Sequence, residues 1–263
     1  RVKGPELETL VLLGSNLENS DLGLICELNL LLDELGMDTM TAGVTISLAM
    51  ELVECRKVDW PLNFGDTSGL AGLIEDIAYR RGVGDELAEG SRRLGQRYGA
   101  SAYAMNVKGL ELAAYEPRGA VGHGLGYATS NRGGCHLNGG YVVALEGLGV
   151  RMKGRSTGSK AGLTAMFQDL MEAVSAAGVC LFTTYAVLPA PLVRGAKGPV
   201  GTVTRAVLSV SGGLLYVLRG LPRGLLGIPL PLLPHLRAME LVTGERIGFG
   251  RFWGVGERGY TLE

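Results

Sequence analysis

The sequence predicts a mostly α protein made of two helical domains. Three observations carry this expectation. Apolar residues recur at helical spacing through the amino-terminal part of the chain. Side chains able to cap helix starts, and glycines able to end helices, punctuate that pattern. The pattern then resumes beyond an intervening glycine-rich stretch. A chain of 263 residues is long enough for two modest domains, expected over 1–110 and 111–263.

Each element has its own warrant. In "DLGLICELNLLLDELG" the apolar spacing predicts a helix over about 21–35, opened by Ser20 or Asp21 and closed by Gly36. Thr41 is the expected N-cap of "AGVTISLAMELVEC", and Ser68 that of "GLAGLIEDIAYRRG", whose Arg80 and Arg81 suit a helix carboxy terminus electrostatically. "GDELAEGSRRLGQRYG" supplies a fourth helix, so the helical pattern of the first domain ends near residue 106. From 115 to 140 glycines abound and apolar periodicity is lost, which predicts a long functional loop or a series of turns. "KAGLTAMFQDLMEAVSAAG" restores the helical pattern and ends at Gly178. Between 187 and 235 the composition turns to Leu, Gly and Pro, and element boundaries are not legible.

Composition excludes several functional classes. Lys+Arg 25 against Asp+Glu 26 gives a net charge of -1, which removes the strongest reason to expect nucleic acid or an anionic membrane as partner. Cysteines at 26, 55, 135 and 180 form no C-x-x-C pair, and their wide separation fits a reducing cytoplasm better than a disulfide framework. No signal peptide is expected from "RVKGPELETL", and the apolar stretch "VLSVSGGLLYVL" is too short and broken for a transmembrane span.

Three stretches carry candidate chemistry. "LDELGMD" places Asp33 in the last turn of a helix and Asp38 just beyond Gly36. Spacing leaves two readings open: a solvated carboxylate beside an N-cap, or a turn whose carboxylates and free amides grip a polar heterocycle. "GHGLGYATSNRGGCHLNGG" gathers His123, Thr129, Ser130, Asn131, Arg132, Cys135 and His136 on a backbone made approachable by glycine, the composition of a binding loop. A zinc site is poorly supported there, because neighbouring Cys135 and His136 point apart, and this stretch contains no G-x-S-x-G elbow of a serine hydrolase. "GRSTGSK" lacks the spacing of a phosphate-binding P-loop, and Arg151, Lys153, Arg155 and Lys160 around it read as a solvated surface loop. Cys180 in "SAAGVCLF" is either a small buried hydrophobe or a metal ligand.

Taken together, "GPELETLVLLGSN", "DELGMDTMTAG", "KGLELAAYEPRGAVGHGLGYATSNRGGCHL" and "AAGVCLF" resemble the successive signatures of the tungsten-containing aldehyde ferredoxin oxidoreductase family, in order, from residue 4 to residue 182. The resemblance implies the two helical domains of that family. It also implies a tungsten or molybdenum atom held by two pterins, a nearby four-iron, four-sulfur cluster, and ferredoxin as electron acceptor in the oxidation of aldehydes to carboxylic acids. By this resemblance "DELGMD" is the first pterin-binding turn, with Asp33, Gly36, Met37 and Asp38. "SAAGVC" is the second, with Gly178 and Val179, and Cys180 stands where the fourth cluster cysteine belongs. Glu8 and His136 fall at the positions of acid/base groups near the metal, and Glu27 matches a glutamate used by some members in a metal site at a dimer interface.

Departures from the family pattern are specific. Ser175 replaces the aspartate of the second turn, and "LVTGERIGFGRFWGVGERGYTLE" resembles a shortened form of the family's carboxy-terminal region. The other three cluster cysteines, spaced C-x-x-C-x-x-x-C, and the family's amino-terminal β-rich domain are expected to be absent from this chain. It is therefore expected to be inactive without an amino-terminal portion or subunit that supplies them. The alternatives are a non-catalytic scaffold that binds no metal, and a small-molecule enzyme using His123 or His136 without a redox centre.

Overall fold

The computed structural model describes residues 4–148, 152–181, 198–219 and 234–262. Within them the chain is mostly α, with one short antiparallel hairpin. It divides into two compact units, 1–114 and 115–263; the expected boundary at 110/111 falls inside the second hairpin strand.

In the first unit α1 (Leu7–Leu12), a 3-10 turn (Ser15–Leu17), α2 (Leu22–Glu34), α3 (Thr39–Glu54), α4 (Leu70–Ala78), α5 (Val83–Leu87) and α6 (Gly90–Arg97) precede β1 (Asn106–Val107) and β2 (Leu110–Glu111). The strands pair Asn106 with Glu111 and Val107 with Leu110. Leu28 and Leu32 of α2, Ile46 and Leu52 of α3 and Ile74 of α4 meet in one apolar core, whose burial drives the association of otherwise marginal helices. α1 crosses α3 where Gly43 lies against the chain at Leu12: an added Cβ would sit 2.7 Å from the Leu12 carbonyl oxygen. The buried Glu111 carboxylate ties the hairpin to this bundle, accepting from Ser91 N at 3.1 Å, Ser91 Oγ at 2.7 Å and Thr41 Oγ1 at 3.3 Å.

The second unit holds α7 (Val121–Thr129), a π-helical turn (Ala144–Leu148), α8 (Lys160–Ala176), α9 (Gly198–Arg219), α10 (Pro234–Thr243) and α11 (Phe249–Leu262). α8 is its axis, in contact with α7, α9 and α11. Glycines permit the crossings: a Cβ on Gly256 would lie 1.7 Å from the Asp169 carbonyl oxygen, and one on Gly162 would lie 2.2 Å from that of Gly212. Trp253, fully buried on α11, donates Nε1–H to Asp169 Oδ2 at 2.7 Å, which satisfies both polar groups in the interior.

Several local expectations are corrected. Asp38, not Thr41, caps α3, accepting from Thr41 N at 2.7 Å; a carboxylate accepts from an orphan first-turn amide better than a hydroxyl one turn inside. Gly69, not Ser68, precedes α4, because Ser68 is engaged by Asp66. "GDELAEGSRRLGQRYG" forms two helices rather than one, since Gly90 adopts φ +80° between them. The stretch 115–140 is not all loop: it contains α7, whose glycines hide it from periodicity. Lys160 is not on a solvated loop but buried and paired with Glu146 at 2.6 Å. Arg151 and much of 187–235 lie outside the described residues.

Candidate functional site: paired helix-ending turns and a buried histidine–tyrosine cluster

Both turns singled out in the sequence are Schellman motifs, and they superpose in their hydrogen-bond logic. At the end of α2, Gly36 N donates to Asp33 O at 3.2 Å and Met37 N to Leu32 O at 2.9 Å. At the end of α8, Gly178 N donates to Ser175 O at 2.9 Å and Val179 N to Val174 O at 3.3 Å. Gly36 has φ +69° and Gly178 φ +70°, the left-handed conformation that this motif requires and that glycine adopts without strain. Met37 and Val179 each pack back on the core of their own unit, as the motif's apolar contact demands. Neither glycine has any atom within 4 Å of where a Cβ would stand, so both turns are open on their outer side.

What the turns present differs. Asp33 is exposed, its carboxylate without a hydrogen-bond or ion-pair partner among the described residues, and Asp38 spends one carboxylate oxygen on the N-cap of α3. In the second unit Ser175 takes the place of Asp33 and the exposed Cys180 that of Asp38. Cys26, Cys55 and Cys135 are not disulfide-bonded, and no group of three His, Cys, Asp or Glu side chains poised for a metal occurs among the described residues.

The glycine-rich segment builds a different environment. His123, with none of its surface exposed, projects from α7 into a nest of rings: Tyr127 at 4.5 Å between centroids, Tyr115 at 5.3 Å and Tyr141 at 6.3 Å. Tyr115 and Tyr141 share a hydroxyl–hydroxyl hydrogen bond of 2.8 Å, and each ring lies 5.8 Å from that of the buried His136. Neither ring nitrogen of His123 has a partner among the described residues; burial, with a smaller contribution from the charge of His136, pushes its pKa down to about 3. Glu146 fixes this arrangement by capping α7 from the π-helical turn. It accepts from Gly122 N at 2.8 Å, His123 N at 2.9 Å and Lys160 Nζ at 2.6 Å. Ser130 donates to Asn138 Oδ1 at 2.7 Å, Cys135 Sγ accepts from Asn138 N at 3.3 Å, and Gln168 donates to Thr129 Oγ1 at 2.8 Å. Arg132 is exposed, and Asn131 donates to the Tyr260 carbonyl.

Of the sequence candidates, His123 and His136 are thus brought together. Glu8 is buried in the first turn of α1, beside Thr9, whose hydroxyl meets that of Thr39 at 2.7 Å. Glu27 is exposed on α2. Tyr115, Tyr141 and Glu146 escaped sequence reasoning; the signal available was tyrosine recurring on both sides of the glycine-rich segment.

Two helical units, each ending a long helix in the same turn with polar side chains at its rim, define a repeated helical scaffold. The chain belongs to the aldehyde ferredoxin oxidoreductase family: the model of domains 2 and 3 of that family matches residues 1–263. It is 47% identical over 193 residues to the tungsten-containing aldehyde ferredoxin oxidoreductase of Pyrococcus furiosus, and 46% identical over 193 residues to that of Thermococcus kodakarensis. Each alignment covers 70% of this chain and 32% of the relative, so the chain matches about a third of those proteins' length. It is also 32% identical over 147 residues to the WOR-like subunit of an aliphatic sulfonate oxidoreductase of Pyrococcus furiosus, covering 51% of this chain and 24% of that protein. No helix among the described residues is long and apolar enough to cross a membrane.

Proposed function

We propose that this chain is the helical, cofactor-holding part of a tungsten- or molybdenum-pterin oxidoreductase that converts aldehydes to carboxylic acids. The observation that carries the reading is the pair of equivalent open turns. The donor chemistry fits a pterin at the first: an exposed, unpartnered Asp33 carboxylate accepts from ring N–H groups, and Gly36 and Met37 leave room for a planar ring to approach the backbone. At the second, Gly178 and Val179 offer the same backbone and Ser175 a hydroxyl in place of the carboxylate.

When bound, the metal-pterin supplies the two-electron chemistry. The chain's own residues hold and orient it at these turns, and Glu8 and His136 move protons in the reaction. The aromatic nest of Tyr115, Tyr127 and Tyr141 keeps water from the buried side of His136 and His123.

An iron–sulfur cluster needs four thiolates, and no group of three or more metal-ligating side chains gathers among the described residues. Cys180 is exposed and supplies one; the other three come, in this reading, from an amino-terminal portion or subunit carrying C-x-x-C-x-x-x-C. Ferredoxin as electron acceptor, the cytoplasm as compartment and a homodimer belong to the same reading. Ser175 favours a second one, a scaffold that keeps the fold and binds no metal.

Co-expression with a polypeptide bearing C-x-x-C-x-x-x-C, followed by elemental analysis and release of the fluorescent oxidised pterin, separates the two. The expected result is about four irons and one tungsten or molybdenum per complex, with iron but not pterin lost in Cys180→Ala. Absence of metal and pterin in that complex refutes the oxidoreductase reading and leaves the scaffold.

A further inference from the structure

The second unit contains a groove of about 490 Å³ between the segment leading into α8 and one face of α9. Lys153, Ser156, Lys160, Thr202, Arg205 and Ser209 line it, and no carboxylate lines it among the described residues. The contrast with the arginine-lined groove of the first unit is direct. There Arg80, Arg93 and Arg97 are each answered by a carboxylate, from Asp85, Glu89 and Glu86 at 2.9, 3.0 and 2.7 Å.

Of the three cations lining the groove, only Lys160 has a carboxylate partner among the described residues, Glu146 at 2.6 Å. Lys153 has no carboxylate partner among the described residues. Arg205 Nη2 donates to Thr202 Oγ1 at 3.2 Å, a bond that steadies the guanidinium and leaves its other N–H donors unpaired among the described residues. No side chain caps α8 at this end, because Ser159 Oγ donates to the Ser209 carbonyl instead. That bond and the Gly162–Gly212 crossing fix the two walls against each other.

An arginine fork, a lysine point charge, the unpartnered Ser156 hydroxyl and the positive end of a helix of 17 residues form a donor set for a multiply charged tetrahedral anion. The volume exceeds what a phosphate group alone would fill, and Met152 and Ala206 supply apolar wall for the remainder of a ligand. We propose that this groove binds a small solute through its phosphoryl group. It lies at the opposite end of α8 from Gly178 and Cys180, a helix length of about 25 Å, so the inference does not depend on the cofactor reading above.

The test is calorimetric titration of the full chain with pyrophosphate at low ionic strength, beside citrate, in wild type and in Lys153→Ala, Arg205→Ala and the double variant. Arg93→Ala serves as a surface-charge control, and circular dichroism with Trp253 fluorescence verifies folding. Saturable binding at one site is expected, weakened about 10-fold or more by either single substitution, partly retained in Arg205→Lys and unchanged in Arg93→Ala. No saturable binding of pyrophosphate to wild type at millimolar concentration, or undiminished binding in the double variant, would overturn the proposal. Citrate binding as tightly as pyrophosphate would assign the groove to polycarboxylates and overturn the phosphoryl assignment.

Discussion

Acidification should destabilise the second unit through His123 in a measurable and attributable way. The imidazole is fully buried without a partner for either nitrogen, and its pKa falls from an ordinary 6.5 to about 3. The sign follows from which state takes up the proton. Below pH 6.5 the unfolded chain protonates this histidine while the folded chain does not, so stability falls as pH drops from about 6.5 towards 3. Between pH 7 and pH 5 the loss from this one residue is about 2 kcal/mol, since each pH unit below the unfolded pKa contributes about 1.4 kcal/mol. Urea unfolding at the two pH values, followed by Trp253 fluorescence in a Trp60→Phe background, reads the second unit alone. His123→Met keeps an apolar side chain of comparable reach and removes the titration. Its stability should change with pH by about 2 kcal/mol less than that of the parent. Identical pH dependence in the two proteins would refute the argument that desolvation governs this imidazole.

Glycine substitutions should separate conformational strain from steric conflict. Gly36→Ala and Gly178→Ala are each expected to cost about 1 kcal/mol, from left-handed backbone alone, whereas Gly256→Ala should cost about 3 kcal/mol because its methyl meets the Asp169 carbonyl; urea midpoints compare the three. Lys160→Met leaves the buried Glu146 carboxylate with two amide donors and no cation, and should lower stability by about 3 kcal/mol in the same assay. Asp38→Ala should cost about 1 kcal/mol as a lost N-cap. Asp33→Ala should leave the melting temperature of the metal-free chain unchanged, which thermal melts of the pair decide.

The helices whose ends are set locally were legible in the sequence. Asp21, Gly36 and Gly178 lie where α2 and α8 begin or end, because capping is decided by residues a few positions apart. α7 was not legible, for a reason internal to it. Its glycines depress helix propensity, and the helix persists because Glu146 caps it from elsewhere in the chain. Gly126 also packs so closely on Gly139 that a Cβ would come within 2.2 Å of its carbonyl oxygen. The same distant partner explains Lys160: among serines, glycines and other basic residues it reads as solvated, and only the fold places Glu146 beside it. In the candidate site, the two turns and both histidines were found from sequence, while the tyrosine nest required the chain to fold back on itself.

The repeated turn separates folding from chemistry. Its shape rests on two backbone hydrogen bonds, a left-handed glycine and one apolar residue, whereas the polar side chains it offers to a cofactor stand at other positions. The positions held by Asp33 and Ser175 can therefore exchange acid for hydroxyl, and the position of Cys180 thiol for another group, without unsettling the helices behind them. A lineage could retune or abandon what this joint grips while its architecture stays unchanged.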